Sequence, residues 1–308
     1  MGTPDFSAKL LESLISTGFN IIGVVTQEDA LVGRKRILTP SPVKEVALAH
    51  NIPVFTPRKI KEEFDFIILL QPDLILTFAY GQIVPLEVLQ APRYGALNLH
   101  GSLLPKYRGA SPIQMALMNN DAETGVTLME MVAAMDAGRM YAKSKFSLTS
   151  EDNFITVANK MAEVSLPLLI NALPDIISGQ NAGVKQDETA VTYAPLLTRS
   201  VEFIDFENDT VAKVLGKLRA FSPEPGVSVR YDNNVLKIYE AQYLNNTMEF
   251  PIGTLFVTKK MLCLQLKNGQ ITLISLQKSG KTRINSSAFI NGEQAKLPSV
   301  LQGFTANE

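Results

Sequence analysis

The pattern of hydrophobic and polar positions divides the chain into two parts of different character. From residue 6 to about residue 180, short runs rich in β-branched residues alternate with stretches of helical periodicity. This alternation is typical of an α/β domain, in which a parallel sheet is covered by helices. Strands are predicted at Asn20–Thr26, Asp73–Ala79, Gly95–His100 and Val126–Met131. Helices are predicted at Phe6–Thr17, Pro42–Asn51, Pro85–Leu89, Pro112–Met118 and Asn153–Ser178. Between the first strand and the second helix, Gln27–Ser41 shows no periodicity, which predicts a long functional or mobile loop.

The second part of the chain follows a polar, irregular stretch from Gly179 to Thr198. It shows one helical pattern and then closely spaced strand patterns with turn residues between them, which is typical of a small antiparallel β-barrel. The helix is predicted at Asp209–Ala220, and the strands at Val227–Tyr231, Val235–Tyr243, Gly253–Thr258, Met261–Leu266 and Gln270–Leu276. The predicted organisation is a catalytic domain over residues 1–180, a linker over 181–200 and a barrel domain over 201–308.

Composition narrows the class of protein. A chain of 308 residues with 46% hydrophobic content is large enough to build a core in each of two domains. Cys263 is the only cysteine, so no intramolecular disulfide forms and a reducing compartment is expected. Neither a signal sequence nor an apolar run of about 18 residues is apparent. The sequence therefore predicts a soluble, cytoplasmic protein without membrane contact, while its net charge of −1 does not indicate a partner.

The two histidines lie in different surroundings. His50 falls at the polar end of a predicted helix, where a solvent-facing position without a role is expected. His100 ends an apolar strand, and ligand crevices form at the carboxyl ends of strands in open α/β sheets. Asn98 precedes it by two positions, so both side chains point to one face of the strand. Taken alone, such a pair could equally satisfy neighbouring backbone groups.

A resemblance gives these two residues more weight. The segment Asn98–Pro105 resembles the signature of the formyltransferase family that uses 10-formyltetrahydrofolate, and Lys106–Gln114 is similar to the branch of that family acting on methionyl-tRNA. Further similarities to this branch extend over nearly the whole chain. They lie at Met1–Phe6, Leu38–Lys44, Asp121–Thr127, Arg219–Pro223 and Leu276–Lys281.

The resemblance implies that Asn98, His100 and Asp136 are the catalytic residues. In this family the Asn-x-His pair acts with an aspartate from an Asp-x-Gly segment after the next strand, a place that Asp136 fills. When an amine attacks a formyl carbon, negative charge develops on the oxygen, and donors from Asn98 and His100 would stabilise it. Asp136 is expected to relay protons between the attacking and leaving nitrogens. No metal is expected, because one cysteine and two dispersed histidines offer no ligand cluster.

The resemblance also implies the binding residues and a Rossmann-like fold for the first domain, followed by an OB-like barrel. The folate donor is expected to contact Ser102, Leu103, Leu104 and Pro105. Initiator methionyl-tRNA is expected to contact the basic residues Arg34, Lys35, Arg36, Lys281 and Arg283. The last two belong to a stretch from Phe250 to Gly292 with six positive residues and no acidic residue. The implied activity is formylation of methionyl initiator tRNA for translation initiation, with no obligate protein partner evident.

Other functions remain open on the sequence alone. The formyl acceptor could be a small amine, such as an amino sugar nucleotide or glycinamide ribonucleotide, although the latter's enzyme lacks a barrel extension. Water could replace the amine, or the chain could be an inactive RNA-binding relic. The relic is raised by one departure from the family pattern, which normally places a short apolar strand before the Met-Gly-Thr-Pro-Asp-Phe motif at residues 1–6. A misplaced start or a sheet with an open gap would account for this departure.

Overall fold

The computed structural model describes residues 1–33 and 35–304, and within them the chain divides into two compact units. The first unit comprises residues 1–112, 123–147 and 158–195, and the second comprises residues 113–122, 148–157 and 196–304. The segment predicted as a linker, 181–200, is therefore divided between them, with residues up to Pro195 in the first unit. The predicted boundaries of the catalytic and barrel domains stay a prediction.

The first unit carries eight strands among its described residues. They are β1 (Val24–Val25), β2 (Ala30–Val32), β3 (Ile37–Thr39), β4 (Val54–Phe55), β5 (Ile75–Thr77), β6 (Ala96–His100), β7 (Glu123–Glu130) and β8 (Met140–Ser147). The helices up to residue 177 are α1 (Asp5–Ser16), α2 (Pro42–Ala49), α3 (Asp65–Leu70), α4 (Leu86–Gln90), α5 (Pro112–Met118) and α6 (Phe154–Ile177). Helix α5 belongs almost wholly to the second unit, and α6 begins in the second unit and continues in the first.

Strand pairing in the first unit is mixed rather than wholly parallel. Strand β1 pairs with β4, and β5 with β6, in the predicted parallel sense. Strands β6, β7 and β8 then pair antiparallel, so the predicted parallel sheet also has an antiparallel part. Strand β6 lies between β5 and β7, and its Leu97 and Leu99 are almost completely buried. Because β6 is paired on both sides, its backbone is fixed up to its last residue, His100.

The sheet has a gap between β1 and β5, at the place where the sequence suggested a missing strand. Met1 and Gly2 bridge this gap between Val25 of β1 and Leu76 of β5. The Met1 amine donates to the Leu76 carbonyl at 2.6 Å, and the Gly2 N–H donates to the Val25 carbonyl at 3.1 Å. Next to these residues lies an apolar cavity of about 290 Å³, lined by side chains of α1, β1 and β5. Burial of the Met1 amine lowers its pKa to about 5, because desolvation disfavours the charged form.

The predicted loop Gln27–Ser41 is in fact a hairpin, so the expectation of an irregular segment was wrong. Strands β2 and β3 pair antiparallel, with Ala30 opposite Thr39 and Val32 opposite Ile37. Leu31, Val32, Ile37 and Leu38 are all more than half exposed. Neither face of this hairpin is buried, so its strands lack the alternation of apolar and polar residues that marks a half-buried strand. The sequence pattern therefore did not reveal it.

The second unit contains the predicted helix and barrel. Its further elements are α7 (Val211–Ala220), β9 (Val227–Tyr231), β10 (Asn234–Asn245), β11 (Thr254–Thr258), β12 (Met261–Leu266), β13 (Gly269–Lys278), β14 (Ile284–Asn285), α8 (Ser286–Glu293) and β15 (Ser299–Val300). The sheet order is β15-β11-β12-β13-β10-β9, and all these pairs are antiparallel. Arg230 of β9 exchanges two backbone hydrogen bonds with Gln302, just after β15, so the ends of the sheet meet. The predicted combination of a Rossmann-like domain and an antiparallel barrel is confirmed.

Candidate active site

Strand β6 presents Asn98 and His100 from the same face. Asn98 lies opposite Thr77 of β5 and Met129 of β7, and His100 lies opposite Thr127 of β7. The imidazole of His100 is 5% exposed, whereas Asn98 is only partly buried. Leu97 and Leu99 are buried on the opposite face, so the two polar side chains project from one face of the strand, as predicted from their spacing.

Each nitrogen atom of the His100 imidazole faces an oxygen atom of a neighbouring segment. Nε2 lies 2.8 Å from the carbonyl oxygen of Tyr107, which only accepts hydrogen bonds, so Nε2 carries a proton. Nδ1 lies 3.6 Å from Oδ2 of Asp136. The structure therefore brings His100 and Asp136 together, and Nδ1 is the ring atom that faces the carboxylate.

Asp136 reaches this position through an unusual backbone conformation. Its φ of +49° lies in the left-handed region, which a non-glycine residue adopts at a cost of about 1 kcal/mol or more. The carboxylate is 17% exposed, and its Oδ2 accepts a hydrogen bond of 2.8 Å from the Gly109 N–H. Two turns that are far apart in sequence, 107–109 and 135–138, thus meet at this carboxylate.

Two polar groups beside this pair have no partner of their own. Within the described residues the Asn98 amide makes no hydrogen bond, and the buried Thr77 hydroxyl on the neighbouring strand is likewise unsatisfied. Because the partly buried Asn98 amide makes no bond to the described part of the protein, it can donate to a group bound at this edge of the sheet. A free amide donor, an imidazole and a carboxylate form a set of groups that fits a formyl group and an amine.

Side chains of β7 and β8 fix the turn that follows His100, residues 101–106. Ser102 is 1% exposed, and its hydroxyl donates to the Lys106 carbonyl at 2.5 Å. The hydroxyl of Thr127 donates to the Ser102 carbonyl at 2.7 Å and accepts from the Leu104 N–H at 3.1 Å. The ammonium of Lys143 donates to the Leu104 carbonyl, and its partial burial lowers its pKa. The turn is therefore rigid before any ligand binds.

The four predicted folate contacts differ in their exposure. Leu104 is completely buried, and the Ser102 hydroxyl is already bonded within the turn. Leu103 and Pro105 are only partly buried and present surface to a ligand. Folate contact at Ser102, Leu103, Leu104 and Pro105 stays a prediction.

The predicted RNA contacts fall in both units. Arg34 lies outside the described residues, whereas Lys35 and Arg36 are exposed at the tip of the β2–β3 hairpin. Lys281 and Arg283 are exposed in the turn between β13 and β14. The guanidinium of Arg283 stacks over the ring of Tyr239 at 4.2 Å and donates to Ser275 at 2.6 Å, so its position is fixed.

Three residues that support the site were not identified from the sequence. Thr127 and Lys143 hold the turn from β7 and β8, and Gln186 bonds to the Asp136 loop. Thr127 falls within a motif that carries the resemblance, and this is the signal that could have pointed to it. Gln186 lies in a polar stretch without periodicity, where no local signal distinguishes it from a solvent-exposed residue. Within residues 1–33 and 35–304, no group of His, Cys, Asp and Glu side chains is arranged to hold a metal ion.

Comparison with known proteins identifies the family. The formyl transferase family model matches residues 1–173, and the model for the formyl transferase C-terminal domain matches residues 196–294. The methionyl-tRNA formyltransferase of Lactiplantibacillus plantarum is 41% identical over 302 residues, which cover 96% of this chain and 95% of that protein.

Solved structures show the same fold at lower identity. WlaRD, a sugar 3N-formyl transferase solved in the presence of dTDP and 5-N-formyl-THF, is 19% identical with a TM-score of 0.66, covering 91% of this chain and 97% of that one. HypX from Aquifex aeolicus, in complex with tetrahydrofolic acid, is 20% identical with a TM-score of 0.60. That match covers 90% of this chain, which spans about half the length of HypX.

The resemblance seen in the sequence is thus confirmed over nearly the whole length of the chain. The two family models match this chain one after the other, and the fold agrees with that of a solved formyltransferase. This protein therefore belongs to the formyl transferase family and, within it, to the methionyl-tRNA formyltransferase branch.

Proposed function

We propose that this protein transfers the formyl group of 10-formyltetrahydrofolate to the amino group of methionyl initiator tRNA. The observation that carries this proposal is the pairing of His100 with Asp136, with the unpartnered Asn98 amide on the same strand face. The identity of 41% to a methionyl-tRNA formyltransferase over nearly the full length supports the choice of methionyl-tRNA as the acceptor. The reaction would supply formylmethionyl-tRNA for translation initiation in the cytoplasm.

The geometry divides the chemical work among the three residues. When bound, the donor supplies an activated formyl carbon for attack by the amine. The Asn98 amide donates to the formyl oxygen as negative charge develops on it, and this interaction strengthens along the reaction. His100 acts through Nδ1, the ring atom that faces Asp136, because Nε2 is bonded to the Tyr107 carbonyl. Asp136 accepts the proton released by the amine and lies close enough to Nδ1 to share it with the imidazole. The proton then passes to the folate nitrogen as the bond from that nitrogen to the formyl carbon breaks.

The rigid turn after His100 supports donor binding. Backbone groups between Ser102 and Pro105 are held by Thr127 and Lys143, so they need not be ordered when the ligand arrives. Such preorganisation lowers the entropy cost of binding. Leu103 and Pro105 would pack against the apolar ring system of the folate, and Leu104 would support the turn from within the core.

The exposed β2–β3 hairpin is suited to nucleic acid. Its tip exposes Lys35 and Arg36, and its strands expose aliphatic side chains that could pack against unpaired bases. Lys281 and Arg283 would contact phosphates from the barrel domain, which positions RNA without reading its sequence. Binding of RNA through these residues should weaken steeply as salt concentration rises.

The decisive assay combines the purified protein with 10-formyltetrahydrofolate and methionyl initiator tRNA, and measures formylmethionine on the RNA. A parallel reaction offers an amino sugar nucleotide, because the fold is shared with a sugar 3N-formyl transferase. We expect formylation of the tRNA alone. A folded protein that formylates the sugar nucleotide and leaves the tRNA unmodified would overturn the proposed acceptor.

The RNA-binding residues are tested separately by replacing Lys35 and Arg36 with alanine. Both are exposed at the hairpin tip, so their loss should leave folding unchanged. We expect a higher KM for the tRNA and an unchanged KM for the folate donor. An equal loss of both would show that the hairpin does not serve RNA binding.

A further inference from the structure

The segment from Val184 to Ala194, here called the strap, binds to both turns of the active site. At its beginning, Val184 and Met140 exchange two backbone hydrogen bonds of 2.8 Å. At its end, the Arg108 N–H donates to the Thr192 carbonyl at 2.9 Å, and the Ala194 N–H donates to the Arg108 carbonyl at 2.7 Å. The strap therefore connects the region after the Asp136 turn with the region beside His100.

Gln186 is the residue of the strap that reaches the Asp136 turn directly. Its side-chain Nε2 donates to the carbonyl of Asp136 at 2.7 Å and to the carbonyl of Gly138 at 2.9 Å. Its Oε1 accepts from Nε of Arg108 at 2.9 Å. Gln186 is 8% exposed, so both N–H groups and the oxygen of its amide are used in a largely buried position.

Arg108 extends this network to the solvent. Its side chain is 5% exposed, and the two terminal nitrogens donate to the carboxylate of Glu188 at 3.2 and 2.8 Å. Its neighbour Gly109 donates its N–H to the Asp136 carboxylate. The backbone of Asp136 is thus held by Gln186, and its side chain is held by the backbone next to Arg108.

This arrangement matters because Asp136 does not favour its conformation. The positive φ places it in a sparsely populated region, and such a residue persists only when its surroundings hold it there. Without the amide of Gln186, the turn would lose two of the bonds that oppose relaxation, and the carboxylate would move away from Nδ1 of His100. A misplacement of about 1 Å in an active site lowers the rate by about 100-fold.

We propose that Gln186 is a positioning residue for Asp136, acting through the two carbonyls of its turn. The proposal rests on the proposed function, in which Asp136 is the proton acceptor. It predicts that changes at Gln186 lower kcat while the KM values for folate and tRNA stay within about threefold, because the residues proposed to bind folate and RNA are not bonded to Gln186. Loss of positioning should lower kcat by about 100-fold.

The test uses Gln186→Glu in the full chain. Glutamate keeps the shape and the oxygen facing Arg108, but it replaces the two N–H donors by an oxygen that faces two carbonyls. Gln186→Met is a second variant, which removes the donors without adding a charge. The matched control is Asp187→Asn, a carboxylate–amide exchange at the adjacent exposed position, where asparagine retains the oxygen that caps Thr189. We expect this control to retain wild-type kcat.

A double-mutant cycle separates positioning from general damage. In an Asp136→Asn background the carboxylate that Gln186 positions is already absent, so adding Gln186→Glu should lower kcat by less than threefold further. A merely structural role would lower the rate by the same factor in both backgrounds. Equal factors, or a Gln186→Met variant with wild-type kcat, would overturn the proposal. If the wild-type chain itself formylates no tRNA, the proposed function fails instead.

Discussion

Thr127 provides a sharp test of how the folate turn is held. Its side chain is completely buried, and one hydroxyl group serves both the Ser102 carbonyl and the Leu104 N–H. In Thr127→Val the volume is conserved and no cavity opens, but two buried backbone groups lose their partner. Valine thus removes the hydrogen bonds and little else.

The expected magnitude follows from these two groups. A buried donor or acceptor left without a partner costs about 1–3 kcal/mol, so the pair should cost about 2–6 kcal/mol in the free energy of unfolding of the first unit. The matched control, Thr127→Ser, keeps the hydroxyl and removes one buried methyl group, which costs about 1 kcal/mol. A larger loss of stability in Thr127→Val than in Thr127→Ser would therefore report on the hydrogen bonds.

Urea denaturation followed by circular dichroism measures the stability of each variant, and initial rates measure the KM for 10-formyltetrahydrofolate. Thr127→Val should be less stable than Thr127→Ser and should bind the donor more weakly, because the turn is no longer preorganised. Stabilities within about 0.5 kcal/mol of one another, with an unchanged KM in both variants, would refute the role assigned to this hydroxyl.

Further predictions concern catalysis, RNA binding and stability. Asp136→Asn should lower kcat by about 10²- to 10⁴-fold in the formylation assay, with thermal unfolding unchanged; a smaller loss would exclude a proton-relay role. Charge-reversed Lys35→Glu should raise the KM for tRNA and flatten its dependence on salt, and an unaltered salt slope would exclude phosphate contact at this residue. The Lys217 ammonium lies 2.5 Å from the buried Asp209 carboxylate, so Lys217→Met leaves a buried charge without its partner and should destabilise the second unit by about 3–5 kcal/mol. Adding Asp209→Asn should restore part of this stability, as measured by urea denaturation.

The elements that the sequence predicted well are those with a buried face. Strand β6 and helix α5 begin and end within one residue of the prediction, because Leu97 and Leu99 on the strand and Ile113 and Leu117 on the helix are buried. Their hydrophobic pattern records that burial directly. Asn98 and His100 could likewise be placed on one face, since alternation along a strand needs only local information.

Other elements depend on contacts that are distant in sequence. The hairpin β2–β3 has no buried side, and the short helix α3 spans only Asp65–Leu70, too few residues to show a period. The strap was interpreted as part of a linker because its residues are polar. What fixes it is hydrogen bonding by Gln186 to a turn about fifty residues earlier, and no local pattern encodes such a pairing.

The bridged gap in the sheet has a consequence for motion. Backbone hydrogen bonds pass from β1 to β5 through Met1 and Gly2, whereas β5, β6 and β7 are bonded continuously. The pair β1–β4 should therefore behave as a separate cooperative opening unit, with faster amide hydrogen exchange than the strand that carries His100. The hairpin follows β1 in the chain and forms a separate two-stranded sheet. We therefore expect the exposed tip of the hairpin to move with the β1–β4 pair, while the strand that carries His100 stays paired on both sides.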